Sequence, residues 1–177
     1  VRTFRLDFRP GTKKWNIVLI LQVSTVSKAD VAALRASIAA IEVGRRQERE
    51  VLPFGLEVVD ARLPGGGLAL GALHEVAGGG TGAVDGAAAA LFVAGIAGRT
   101  NGKVLWCITR PDLFAPAIAQ AGLNPDRVIY VEAHDEKSVL SCFEEGLRHG
   151  GLSCVVAEVS HLSMTASRRL QLAAETS

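Results

Sequence analysis

The residues best placed to do chemistry form a glycine-rich run, Gly78, Gly79, Gly80, Thr81 and Gly82, followed by Asp85 and Gly86. The run stands between a short apolar stretch ending at Val76 and an alanine-rich stretch from Ala87 to Ala90. Strand, glycine loop and helix, in that order, surround a phosphate with backbone N–H groups and a helix N-terminus. A working G-x-x-x-x-G-K-[ST] loop also needs a lysine to grip the phosphate and a hydroxyl for Mg²⁺. Neither is present. Counting from Gly78 puts Val84 at the lysine position; taking Gly86 as the helix-opening glycine puts Ala87 there, with Ala88 in place of the hydroxyl. No lysine occurs from Ala29 to Gly102. Asp85 lies where phosphate would approach, and its carboxylate would repel it. These residues leave weak anion binding open and argue against tight MgATP binding. A degenerate, structural loop therefore outweighs a working nucleotide site, and no nucleotide or other cofactor is expected.

A second acid could matter. Glu158 follows the apolar run Cys154-Val155-Val156-Ala157. An acid at the end of such a strand can hold Mg²⁺ through water; a glutamate facing solvent at the sheet's edge fits the sequence equally well. A base to activate water would be expected after the run at 103–108, where the chain reads Thr109-Arg110-Pro111-Asp112. Asp112 falls two residues late and is better read as a cap on the next helix, with Arg110 on the rim. His74, His134, His149 and His161 pair with no Cys or Ser at a recognised spacing, so no nucleophile–base pair is visible. Cys107, Cys142 and Cys154 lie far apart without a C-x-x-C spacing. They read as free thiols in a reducing cytoplasm, not as a disulfide or zinc framework.

The elements that must position these residues follow from periodicity. The chain has 177 residues and a net charge of +1. That length suits one domain able to bury most of its apolar surface. Residues 1–28 carry a charge of +5 and residues 29–177 a charge of −4, with Lys103 and Lys137 the last two lysines. A body that is mildly acidic is a poor match for duplex DNA, which is held by phosphate neutralisation. Residues 1–26 look foreign to the rest of the chain. Their apolar run Ile17-Val18-Leu19-Ile20-Leu21 is far too short for a membrane span, and the segment is expected to be a disordered tail or an over-called start. Residues 27–50 hold an amphipathic helix, with Val31, Leu34, Ile38 and Ile41 on one stripe; it would be a solvated packed helix or a docking arm. Residues 51–177 form the core. It begins with a glycine-dense loop and a short strand at 73–76. Helices are expected at 86–99, 112–121, 136–149 and 163–175, the last capped by Ser163 or Thr165. Strands are expected at 103–108, 127–131 and 152–159, the first covered on both faces and the last also buried. This alternation predicts an α/β fold with a parallel sheet flanked by helices. A further strand would be expected after the last helix, so the core is expected to be incomplete at its C-terminal end.

The order Phe54-Gly55-Leu56-Glu57-Val58-Val59-Asp60, Leu63-Pro64-Gly65-Gly66-Gly67-Leu68 and Gly71-Ala72-Leu73-His74-Glu75-Val76 resembles the entry to a RecA-type recombinase core. More closely, the chain is similar to the ImuA family, RecA-like proteins of the bacterial mutagenesis cassette that are sometimes described as SulA-related. Gly86-Ala87-Ala88-Ala89 and the run from Leu162 to Glu175 carry that likeness, which covers residues 28–177. The resemblance implies a RecA-like, P-loop NTPase-like core. In it the phosphate lysine falls on Val84 or Ala87, the catalytic glutamate near Pro111, and the strand-end aspartate on Glu158. It further implies a non-catalytic, cytoplasmic accessory protein of SOS translesion mutagenesis. Its partners would be an ImuB-like polymerase homologue, RecA and an error-prone replicative-type polymerase. DNA would be reached only indirectly and no membrane would be involved; self-association stays open. Two other readings remain: an ATP-binding, recombinase-like DNA repair protein, and a SulA-type cell-division inhibitor.

Overall fold

The computed structural model describes residues 2–4, 16–21, 50–80 and 82–175. The expected helix within 27–50 and the loop residue Thr81 lie outside them. Eight strands are described: β1 (Arg2–Phe4), β2 (Asn16–Leu21), β3 (Val51–Leu52), β4 (Leu68–Ala69), β5 (Ala72–Ala77), β6 (Val104–Ile108), β7 (Val128–Glu132) and β8 (Cys154–Val159). The α-helices are α1 (Glu57–Asp60), α2 (Ala83–Gly98), α3 (Ala115–Gln120), α4 (Glu136–His149) and α5 (Met164–Glu175).

Six strands form one sheet in the order β1-β5-β2-β8-β6-β7, while β3 and β4 pair separately. The α/β architecture is as expected, but the sheet is mixed. β6 is parallel to both β7 and β8, whereas β2 is antiparallel to β5 and β8 and sits between them. Asn16–Leu21, expected from sequence to be part of a tail, is therefore an interior strand. Its six residues are too short to span a bilayer but long enough to pair fully on both sides. Val18 and Leu19 are wholly buried, one toward each face. No helix among the described residues is long and apolar enough to cross a membrane.

The two faces carry separate cores. Leu19, Val76, Trp106, Ile108 and Val156 pack beneath α2 and α3. Val18, Leu105, Val155 and Ala157 pack beneath α4 and α5, together with Val139, Phe143, Leu147 and Leu170 from those helices. Each large side chain buried in this way contributes about 1.5–3 kcal/mol of transfer free energy. The side-chain alternation of strands explains the division: Val104, Trp106 and Ile108 face one way, Leu105 and Cys107 the other. In α2 the buried positions are largely alanine, which brings the helix close to the sheet and to α3. There a Cβ on Gly98 would lie 2.5 Å from the Gly122 carbonyl oxygen, so only glycine fits.

Several boundaries differ from expectation. The region at 63–68, irregular by its sequence, contains a 3-10 turn (Pro64–Gly66) and leads into β4. Helix α3 starts at Ala115, not at Asp112. Proline stands in its first turn, where its missing N–H costs nothing, and residues 109–114 remain extended or bent. Ser163 does cap α5, its Oγ accepting from the Ala166 N–H at 3.2 Å. At the start of α4 the Asp135 carboxylate accepts from the Ser138 N–H at 2.7 Å. Those bonds from Ser138 hold its carboxyl below the usual range.

Candidate functional site: the glycine loop and the strand-end acid

The loop leaves β5 at Ala77 and enters α2 at Ala83. The helix thus opens three residues before Gly86, which lies inside its first turn instead of starting it. The physical reason is Asp85. At the third helical position its Oδ2 accepts from the Gly82 N–H at 3.3 Å, folding the carboxylate back over the helix N-terminus. An acid in the first turn is favoured there by the helix dipole. The same carboxylate lies inside the loop: a Cβ on Gly80 would come within 2.7 Å of Oδ2, and one on Gly82 within 3.3 Å. A Cβ on Gly78 would press on the Asp85 backbone carbonyl at 3.1 Å. Gly78 thus lies close against the backbone of Asp85, and Gly80 and Gly82 against its carboxylate. Val84, at one of the two candidate lysine positions, is 81% exposed, and Ala87 is also exposed.

Glu158 lies near the end of β8, inside the sheet and not at a solvent edge. Trp106 on β6 stands opposite Val156, so Glu158 is its diagonal neighbour on the same face. The Trp106 Nε1–H donates to Glu158 Oε1 at 2.8 Å. Burial pushes the Glu158 carboxyl up, the Trp106 bond opposes this, and the nearby Asp112 carboxylate adds to the rise. Asp112 therefore does not cap a helix, as the sequence suggested; it lies in the loop after β6, electrostatically coupled to Glu158. Arg110 and Pro111 are exposed in the same loop. Among the described residues no His, Cys, Asp and Glu group could hold a metal ion.

Other titratable groups serve the fold. The His74 ring is buried, donates Nε2–H to the Ala69 carbonyl at 2.8 Å, and is kept neutral by desolvation. Cys107 and Cys154 are buried free thiols, Cys107 pushed up to about 12 by burial and Cys154 raised further. Neither is a thiolate nucleophile at neutral pH. Cys142 is half-buried.

Sequence reasoning misses three residues that hold the site's frame. Trp106 reads there only as part of an apolar run. Arg127 donates from Nε to the Gly102 carbonyl and from Nη2 to the Thr100 carbonyl, both at 2.7 Å, tying β7 to the chain just past α2. Asp60 accepts from the Phe54 and Gly55 N–H groups at 2.6 and 2.8 Å, closing the loop before α1. Phe54 in turn stacks on Phe92 of α2, ring centroids 5.9 Å apart. Such bonds join residues far apart in sequence or bend a loop on itself, and no spacing announces them.

Fold and site together define an α/β protein in which a glycine loop at a strand end is closed by a carboxylate of its own helix. Two curated relatives are similar to it, both Protein ImuA of Caulobacter vibrioides, from strains NA1000 / CB15N and ATCC 19089 / CIP 103742 / CB 15. Each is 44% identical over 139 residues, covering 76% of this chain and 57% of the relative. The chain belongs to the ImuA family. It spans a little over half the length of these relatives. No family model matches the chain, and no solved structure matches it.

Proposed function

We propose that this chain is a non-catalytic accessory protein of damage-induced (SOS) translesion mutagenesis. It acts in the cytoplasm through contacts with an ImuB-like polymerase homologue, RecA and an error-prone polymerase, on a RecA-like core whose nucleotide loop is retained for structure. The observation that carries the reading is Asp85. Its carboxylate takes the Gly82 N–H and the space under Gly80, where a phosphate loop would place phosphate oxygens. With no lysine from Ala29 to Gly102 to offset that charge, the loop is adapted to an internal anion. Membership in the ImuA family supports the cellular role, and the acidic body supports contact with proteins over duplex DNA.

The test uses purified protein with MgATP. No hydrolysis above background and no retention of labelled ATP on filters are expected, together with co-purification of the polymerase-like partner from damaged cells. Robust Mg²⁺-dependent turnover would overturn the reading in favour of a recombinase-like ATPase. Filamentation on overexpression without any polymerase contact would instead favour a cell-division inhibitor.

A further inference from the structure

The sheet ends on β7, which pairs with β6 on one side and with no described strand on the other. The hydrogen bonds say which groups face outward. The Ala133 N–H donates to the Ile108 carbonyl at 2.8 Å, so the backbone of residues 129, 131 and 133 points toward β6. By alternation, Tyr130 and Glu132 present N–H and C=O outward. Val128 offers only its carbonyl, because its N–H is donated to Pro125. Exposed sheet edges are normally blunted by lysine, proline or a bulge. Here the strand reads Val-Ile-Tyr-Val-Glu, with Ile129 and Tyr130 45% and 40% exposed.

We infer that β7 is a homodimerisation edge, pairing antiparallel with β7 of a second copy about a two-fold axis at Tyr130. Outward N–H and C=O groups call for an extended backbone as occupant, and the residue register selects this chain itself. With Tyr130 opposite Tyr130, each donates its N–H to the other's carbonyl. Each Glu132 N–H then reaches the Val128 carbonyl of the other copy, the outward acceptor whose own N–H is already used. Ile129 falls opposite Val131, the two tyrosine rings lie across the axis, and Glu132 faces valine, so no like charges oppose. Aromatic and apolar cross-strand pairs of this kind are favourable, and directly opposed like charges are not. An interface of one short strand per copy is small, which sets a weak dimer in roughly the micromolar to sub-millimolar range. The inference is independent of the mutagenesis role, since an ATPase or a division inhibitor could dimerise in the same way.

Sedimentation equilibrium of the purified chain over a concentration series tests it. A monomer–dimer equilibrium is expected. Ile129→Lys sets a charge on the edge, and Tyr130→Pro removes an outward N–H together with the tyrosine ring. Each should raise the dissociation constant about two- to thirtyfold, because the two-fold axis removes two cross-strand pairs, or two hydrogen bonds, at once, while the circular dichroism spectrum stays unchanged. Tyr130→Cys supplies a positive test. Opposed residues of a hydrogen-bonded antiparallel pair have Cα atoms about 5.5 Å apart, within disulfide reach. That variant should form a covalent dimer under copper-phenanthroline, and the wild-type chain with its own three cysteines should not. A wild-type monomer throughout, a dimer untouched by both edge variants, or no cross-link at position 130 would overturn the proposal.

Discussion

Trp106 and Asp85 make comparable bonds at the two candidate acids: the Trp106 indole donates to Glu158, and the Asp85 carboxylate accepts from the Gly82 N–H. Trp106→Phe removes the indole donor to Glu158 while keeping an aromatic ring in a wholly buried slot. The expected cost at neutral pH is about 1–3 kcal/mol, the penalty for a buried polar group left without its partner. Its pH dependence has a definite sign. Burial already raises the Glu158 carboxyl in the folded state. A raised acid binds a proton more readily folded than unfolded, so its contribution is fully present below the unfolded value and is lost as pH rises through the folded one. Deleting the donor raises it further. The gap between Trp106→Phe and wild type in urea unfolding should therefore be wide at pH 7.5 and narrow toward pH 5. An equal gap at both pH values would show that the ring's packing, not the carboxylate, sets the cost. Of these residues, the sequence made Asp85 legible, because charge and spacing alone put an acid in a phosphate's place. Trp106 was not legible, since its partner lies 52 residues away and only the register of β6 against β8 brings them together.

At the level of elements, the buried runs of β6 and β8 and the stripe of α4 could be read directly. Each is a local pattern of apolar residues with its own period. Helix starts were less legible where an acid or a proline decided them: Asp85 pulled the start of α2 back to Ala83, and Pro116 delayed α3 to Ala115. The alanines of α2 pose a different question, because nothing local says how close the helix must come to its neighbour. Gly98 answers it. A methyl group there would meet the Gly122 carbonyl oxygen and carbon at 2.5 and 2.7 Å, both backbone atoms that cannot swing aside. In an exposed helix Gly→Ala is normally stabilising by up to about 1 kcal/mol. Gly98→Ala should instead lower stability by about 1–3 kcal/mol through overpacking, read as a fall in the urea midpoint with an unchanged slope. A rise in the midpoint would mean that α2 and α3 part easily, and that the glycine is not what sets their spacing.

At the scale of the molecule, β2 decides whether there is one sheet or two. β1 and β5 lie on one side of it with the glycine loop, and β8, β6 and β7 on the other with Glu158. No described strand other than β2 bonds to both β5 and β8. Its place was hidden in the sequence because an apolar pentad among basic residues carries no sign of partners that lie more than fifty and more than a hundred positions further along. The consequence is mechanical. The loop and the strand-end acid are held in one frame only while β2 stays in register. Leu19 is fully buried beneath α2, opposite His74 on one side and Val156 on the other. Leu19→Ala should cost about 2–5 kcal/mol, the range for truncating a buried leucine. The decisive measurement is where that loss appears. If β2 is the bridge, amide hydrogen exchange should speed up together in β5 and in β8, because both lose the same neighbour. If β5 alone loosens while β8, β6 and β7 keep full protection, the three strands beyond β2 form a self-sufficient unit. The glycine loop would then belong to a separately opening part of the molecule, apart from the strands that carry Glu158 and its Trp106 partner.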